Sequence, residues 1–206
     1  IEEYGMEIGE TPVQYQSRVN RNALGALFRG MKIMDAGPYY LKEMGKYPVI
    51  NLSLKSAKQP SLELSLLMLK RAIAGEFRRH DQVLPYLFEE DQLRYQRMRD
   101  EKGDLGDYID ALAYLSRLLS DVYGEKTIIL IDEYDVPLEN AFFRGFYEEM
   151  VDFIRSLFES ALKTNPALEF SVITGCLRIS KESIFTGLNN LEIISILNED
   201  YGEYFG

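Results

Sequence analysis

The residues that could do chemistry gather at two points of the 206-residue chain. The first is Asp132-Glu133-Tyr134-Asp135, directly after Ile128-Ile129-Leu130-Ile131. Four consecutive branched apolar residues read as a strand buried on both faces, so the acids stand at its carboxyl end, where ligands sit in a parallel α/β sheet. An aspartate there can orient a magnesium ion that neutralises charge on a transferring phosphate, and the neighbouring glutamate can polarise the attacking water. Asp135 adds a third carboxylate, and such a cluster could equally hold metal for direct phosphodiester cleavage, with Lys181 as its nearest attractive lysine. The second point is Ser171-Val172-Ile173-Thr174-Gly175-Cys176-Leu177-Arg178. There another apolar strand ends in a hydroxyl and a glycine, followed by an arginine able to neutralise transition-state charge.

Other nucleophiles and metal ligands are scarce. His80 is the single histidine and lies in Glu76-Phe77-Arg78-Arg79-His80-Asp81, where it reads as a surface or helix-end residue. Cys176 is the single cysteine, which excludes an internal disulfide and a multi-cysteine zinc site and fits a reducing compartment. Next to Gly175 it reads as a small buried residue, since no histidine is near it in sequence. A net charge of -10 argues against a general nucleic-acid-binding surface, although a local basic patch remains compatible with it. With 46% hydrophobic and 27% charged residues the composition is that of a soluble globular domain. No apolar run reaches the length of a membrane span and the acidic start resembles no signal peptide, so a cytoplasmic location is expected.

Elements that would position the two points follow from periodicity. Residues 1–26 read as an irregular arm, with a short helix over Ala23 to Met34 leading out of it. Tyr47 to Leu54 reads as a strand. Ser61 can cap a helix in which Leu62, Leu66, Leu69, Ile73 and Phe77 recur at helical spacing, with Lys70, Arg71, Arg78 and Arg79 on a solvated face. A charged helical insert follows at about 84–103, then one helix from Asp104 or Asp107 to Tyr123, stopped by Gly124. After the central strand, Pro137 to Gly145 reads as loop, Phe146 to Ala161 as helix, and Leu168 to Thr174 as strand. A short helix near Ser180 and a last strand at Leu191 to Leu197 complete the reading. Alternating helices and strands predict a mostly parallel sheet with helices on both faces, a three-layer α/β fold.

Four apolar residues followed by Asp-Glu is also the pattern of a Walker B strand. Its usual complement, Gly-x-x-x-x-Gly-Lys-Ser/Thr, does not occur: Gly45-Lys46 is followed by Tyr47. The backbone cradle and lysine that grip β and γ phosphates are therefore not in this sequence.

Leu27-Phe28-Arg29-Gly30-Met31-Lys32-Ile33, Tyr47-Pro48-Val49-Ile50, Ile131-Asp132-Glu133-Tyr134-Asp135-Val136-Pro137 and Thr174-Gly175-Cys176-Leu177-Arg178-Ile179-Ser180-Lys181-Glu182-Ser183 resemble the bacterial AAA-ATPase-like family. The resemblance spans residues 27–206 and implies a P-loop core, here without its first strand and phosphate loop, which the family carries upstream of the segment matching Leu27 to Ile33. It implies ATP and magnesium as cofactors, Asp132 as the magnesium residue, Glu133 as the water-activating residue, Thr174 and Arg178 as sensor-type residues, and Asp135 beside the nucleotide. It further implies an attached or partner module, of the PD-(D/E)XK nuclease-like kind in many members. Two other readings stay open: a non-catalytic regulatory module with a degenerate nucleotide site, and a metal-dependent nuclease.

Overall fold

Three apolar runs become three parallel strands, Val49–Ser53 (β1), Thr127–Asp132 (β2) and Leu168–Ile173 (β3), in the order β1-β2-β3. The computed structural model describes residues 9–176, 184–185, 188 and 191–195, with side chains 16, 17 and 19–24 outside the description. The register sets Ile50 against Ile129 and Leu52 against Ile131, and all four side chains are buried. It also sets Ser53 of β1 beside Asp132 of β2.

The helices are Pro12–Leu27 (α1), Pro38–Leu41 (α2), Leu62–Arg79 (α3), Glu89–Arg99 (α4), Leu105–Ile109 (α5), Ala111–Tyr123 (α6), Asp135–Arg144 (α7) and Tyr147–Leu162 (α8). α3 packs on β1, α6 on β2 and α8 on β3, and α6 touches both of its neighbours. Together with β1 and β2 they bury Leu69, Ile73, Phe77, Leu112, Leu115, Leu119, Ile154, Leu157 and Phe158 in one core. Each such side chain withdraws enough apolar surface to contribute about 1.5–3 kcal/mol. The start of β2 is tied into this layer by Thr127, whose hydroxyl meets the Ser116 hydroxyl of α6 and donates to the Ala167 carbonyl at 3.1 Å.

Five expectations change. Helices on both faces are not what the described residues build: α3, α6 and α8 share one face, while on the other Asn51, Phe170 and Val172 are exposed and Ile128 and Leu130 only half-buried. The supposedly irregular arm contains α1, because Thr11 and Gln14 form a reciprocal capping box and Pro12 occupies the first helical position, where its missing N–H costs nothing. The expected loop at Pro137 to Gly145 is α7; a proline in the first turn is tolerated there, and Gly145 closes the helix in a left-handed conformation. Leu191–Ser195 forms no strand, and 196–197 lie outside the described residues. The segment from Asp104 to Tyr123 is two helices, parted at Asp110, since Asp104 and Asp107 cap the short α5 on their own account.

α3 also closes the outer edge of β1. Glu76 accepts the outward N–H of Asn51 at 2.8 Å, while Arg79 and the His80 ring, at 3.1 Å, both meet the carbonyl of Val49. His80 is thus at a helix end but buried, and burial together with the Arg79 charge pushes its pKa down to about 4. The basic face of α3 is partly engaged: Arg71 and Arg78 pair with Glu101, and Lys70 lies 5.0 Å over the Tyr108 ring. Among the described residues no helix is long and apolar enough to cross a membrane.

Candidate functional site

β2 carries its last side chain, Asp132, to the carboxyl edge of the sheet and leaves it exposed. β3 runs alongside far enough that the Thr174 N–H donates to the Ile131 carbonyl at 2.8 Å and the Tyr134 N–H to the Thr174 carbonyl at 3.1 Å. This continuation brings the two sequence-predicted points together, with the Thr174 hydroxyl bonded to Asp132 Oδ1. Ser53, which sequence reasoning passed over, stands on the other side of Asp132 by register. Its signal was available in the Asn51-Leu52-Ser53 end of the first strand, but only pairing says which residue it meets.

Glu133 makes the turn from β2 into α7 in the left-handed region, at φ 56°. That conformation disfavours a side chain with a Cβ by about 1 kcal/mol or more. Its Oε2 is buried and has no hydrogen-bond partner among the described residues. A carboxylate oxygen held out of water in this way is an acceptor left open beside Asp132.

Asp135 opens α7 and is buried, with 3% of its surface exposed. Its Oδ2 accepts the Cys176 N–H at 3.0 Å, which fastens the turn after β3 to the start of α7. A negative group in the first turn also suits the partial positive charge of a helix N-terminus. Asp135 is therefore engaged in holding the turn. Cys176, expected to be buried, is exposed, because its backbone rather than its thiol faces Asp135.

Gly175 permits this close approach. A Cβ there would lie 2.6 Å from Tyr134 Cε1 and 2.7 Å from Asp135 Oδ1. Tyr134 is itself buried and meets the Phe185 ring edge-on at a centroid distance of 5.3 Å.

The three carboxylates do not converge. Among the described residues no group of three or more His, Cys, Asp or Glu side chains is placed to hold a metal ion, which removes the geometric basis for a nuclease centre on Asp132, Glu133 and Asp135. Magnesium asks for less: it keeps several waters and is bound through one or two carboxylates plus substrate phosphates. The exposed Asp132 and the open oxygen of Glu133 fit that donor set. Arg178 and Lys181 lie outside the described residues. An open hollow of about 230 Å³ lined by Phe28, Ile33, Tyr40, Leu41, Glu43 and Met44 contains none of these side chains.

No solved structure matches the chain. An uncharacterized protein from the vnfD 5' region of Azotobacter chroococcum mcd 1 is 36% identical over 74 residues, covering 35% of this chain and 14% of that protein. The chain thus matches only a small part of the length of this relative. A family model described as "Predicted AAA-ATPase" matches residues 12–185. On that match, and with an α/β sheet whose strand ends meet at Asp132 and Thr174, the chain belongs to the AAA-ATPase-like family.

Proposed function

We propose that this chain is the catalytic half of an ATPase site within a longer protein, a P-loop core in which other polypeptide grips the phosphates. The observation that carries the reading is the Asp132–Thr174 bond beside the open, buried oxygen of Glu133. Bound magnesium and ATP would supply the positive charge and the phosphoryl group at the strand ends. Asp132 would orient the hydrated cation through its exposed carboxylate. Thr174 fixes the rotamer of Asp132 and is the described residue best placed to sense what lies against it. Glu133 would accept a proton from the attacking water, and Arg178 would meet charge on the transferred group. Asp135 and Gly175 act as positioning residues that hold the two strand ends at fixed spacing. ATP occupancy would switch an attached or partner module, and a nuclease-like module is one candidate.

The test is equilibrium ATP binding and turnover by the longer protein. Magnesium-dependent binding is expected, retained in Glu133→Gln while turnover falls about 10²–10⁴-fold, the usual contribution of a positioned general base. Absence of magnesium-dependent binding sinks the reading. It would favour a non-catalytic regulatory module, which the missing Gly-x-x-x-x-Gly-Lys-Ser/Thr sequence supports.

A further inference from the structure

The surface carboxylates of the chain are matched unevenly. On the α4 to α6 side Asp91, Glu101, Asp107 and Asp110 each meet an arginine. At the corner where α7 ends and α8 begins, Glu139, Glu148 and Glu149 are exposed and have no ion-pair partner among the described residues. Arg144 is the only cation between Glu139 and Asp152. The same corner carries Phe142 and Phe143, 67% and 76% exposed with ring centroids 5.7 Å apart, and Tyr147 stands edge-on to Phe142 at 5.9 Å. This exposure is built into the helix. α7 turns Leu138 and Ala141 into the core, which leaves Glu139, Phe142 and Phe143 together on its outer face at spacings of three and four. Carboxylates in the first turn of a helix suit its dipole, which accounts for Glu148 and Glu149 in α8 but not for Glu139 in the second turn of α7, nor for the bare rings. Contiguous exposed aromatic surface rimmed by polar groups marks an interaction site.

We propose that the α7–α8 corner docks a basic segment of a partner protein, one that sets arginine between apolar side chains. Charge complementarity selects this occupant. A guanidinium lies favourably over an aromatic face and donates in a fork that matches a carboxylate, so rings and unpaired acids side by side suit arginine on both counts. Apolar neighbours of that arginine would cover the rest of Phe142 and Phe143, and burying such rings supplies the larger share of affinity. An acidic partner would meet three like charges. So would a second copy of this chain using the same corner, since a twofold contact sets each patch against itself and the chain as a whole carries -10. The corner requires neither nucleotide nor Asp132, so the inference stands independently of the ATPase reading.

Titration of the 206-residue chain with short amphipathic helical peptides tests the site, read by fluorescence anisotropy and by backbone amide shifts. One peptide is built of leucine, alanine and arginine; two others replace its arginines with glutamine or with glutamate. The arginine peptide is expected to bind, more weakly as salt rises, and to move the amides between Glu139 and Glu149. The glutamine peptide should bind about tenfold more weakly, and the glutamate peptide not at all. Phe142→Ser with Phe143→Ser changes two exposed side chains and should keep the far-UV circular dichroism of the fold while weakening binding about tenfold or more. Glu139→Gln, Glu148→Gln and Glu149→Gln together should flatten the salt dependence. Glu89→Gln with Glu90→Gln, beside the exposed Phe88, should change nothing. The proposal is overturned if the arginine peptide does not bind, if the glutamine peptide binds as tightly, or if binding survives loss of both rings. A dimer of the chain that Phe142→Ser with Phe143→Ser dissolves also overturns it, because the occupant would then be a second copy.

Discussion

Replacing Gly175 with alanine tests whether the two strand ends are held as closely as the geometry requires. The added Cβ would meet two ring carbons of Tyr134 at 2.6 and 2.7 Å and Asp135 Oδ1 at 2.7 Å, well inside ordinary contact distance. Neither neighbour can yield freely. The Tyr134 ring is buried against Phe185, and Asp135 is buried and bonded to the Cys176 N–H. Overpacking of this kind costs about 1–3 kcal/mol. Alanine also restricts the unfolded chain, which returns about 0.4–1 kcal/mol. The net expectation is a loss of about 1–2 kcal/mol, read as a lower urea midpoint at unchanged m-value. Trimming the ring should relieve the clash, so Gly175→Ala should cost less in a Tyr134→Leu background than alone. A Gly175→Ala variant as stable as the parent, or a cycle with no coupling, refutes the claim that the glycine is there for close approach.

Two further outcomes follow from buried charge. His80 has a folded pKa pushed down to about 4 from 6.5, so the unfolded chain binds the proton first as pH falls. The stability is whole above about pH 6.5 and drains away between there and pH 4, by about 3 kcal/mol at 1.36 kcal/mol per unit. Denaturant melts across that window should show the slope, and His80→Gln, which can still donate to Val49, should flatten it. Glu133→Gly removes both the left-handed strain and the buried unpartnered oxygen, so it should raise stability by about 1 kcal/mol while abolishing any turnover in the longer protein. A destabilised glycine variant would mean that the Glu133 side chain supports the fold.

What the sequence made legible was what depends on neighbours along the chain. Ile128 to Ile131 specified a buried strand, and Asp132 had to stand at its end. The helical spacing of Leu62 to Phe77 and of Phe146 to Ala161 specified α3 and α8. Features set by partners distant in sequence were not legible. Glu76, Arg79 and His80 look like the charged flank of a helix, and only the fold turns them onto the backbone of β1. The positive φ of Glu133 is imposed by the abrupt start of α7, which Pro137 disguised as a loop. Of the site, the meeting of Asp132 with Thr174 was foreseeable from two apolar strands separated by one helix. Asp135 as a brace and Ser53 as a neighbour needed the register.

The link from β2 to α7 is only Glu133 and Tyr134 long, so α7 leaves the strand end directly, with its inner face packed on α8. Ten helical residues reach about 15 Å at 1.5 Å each, which sets the distance from the strand end to the far end of α7. That far end carries Phe142 and Phe143, 67% and 76% exposed and stacked edge to face. The strand end that carries Asp132 and this exposed aromatic pair are thereby joined by one continuous helix seated on α8, with no loop after Tyr134 between them.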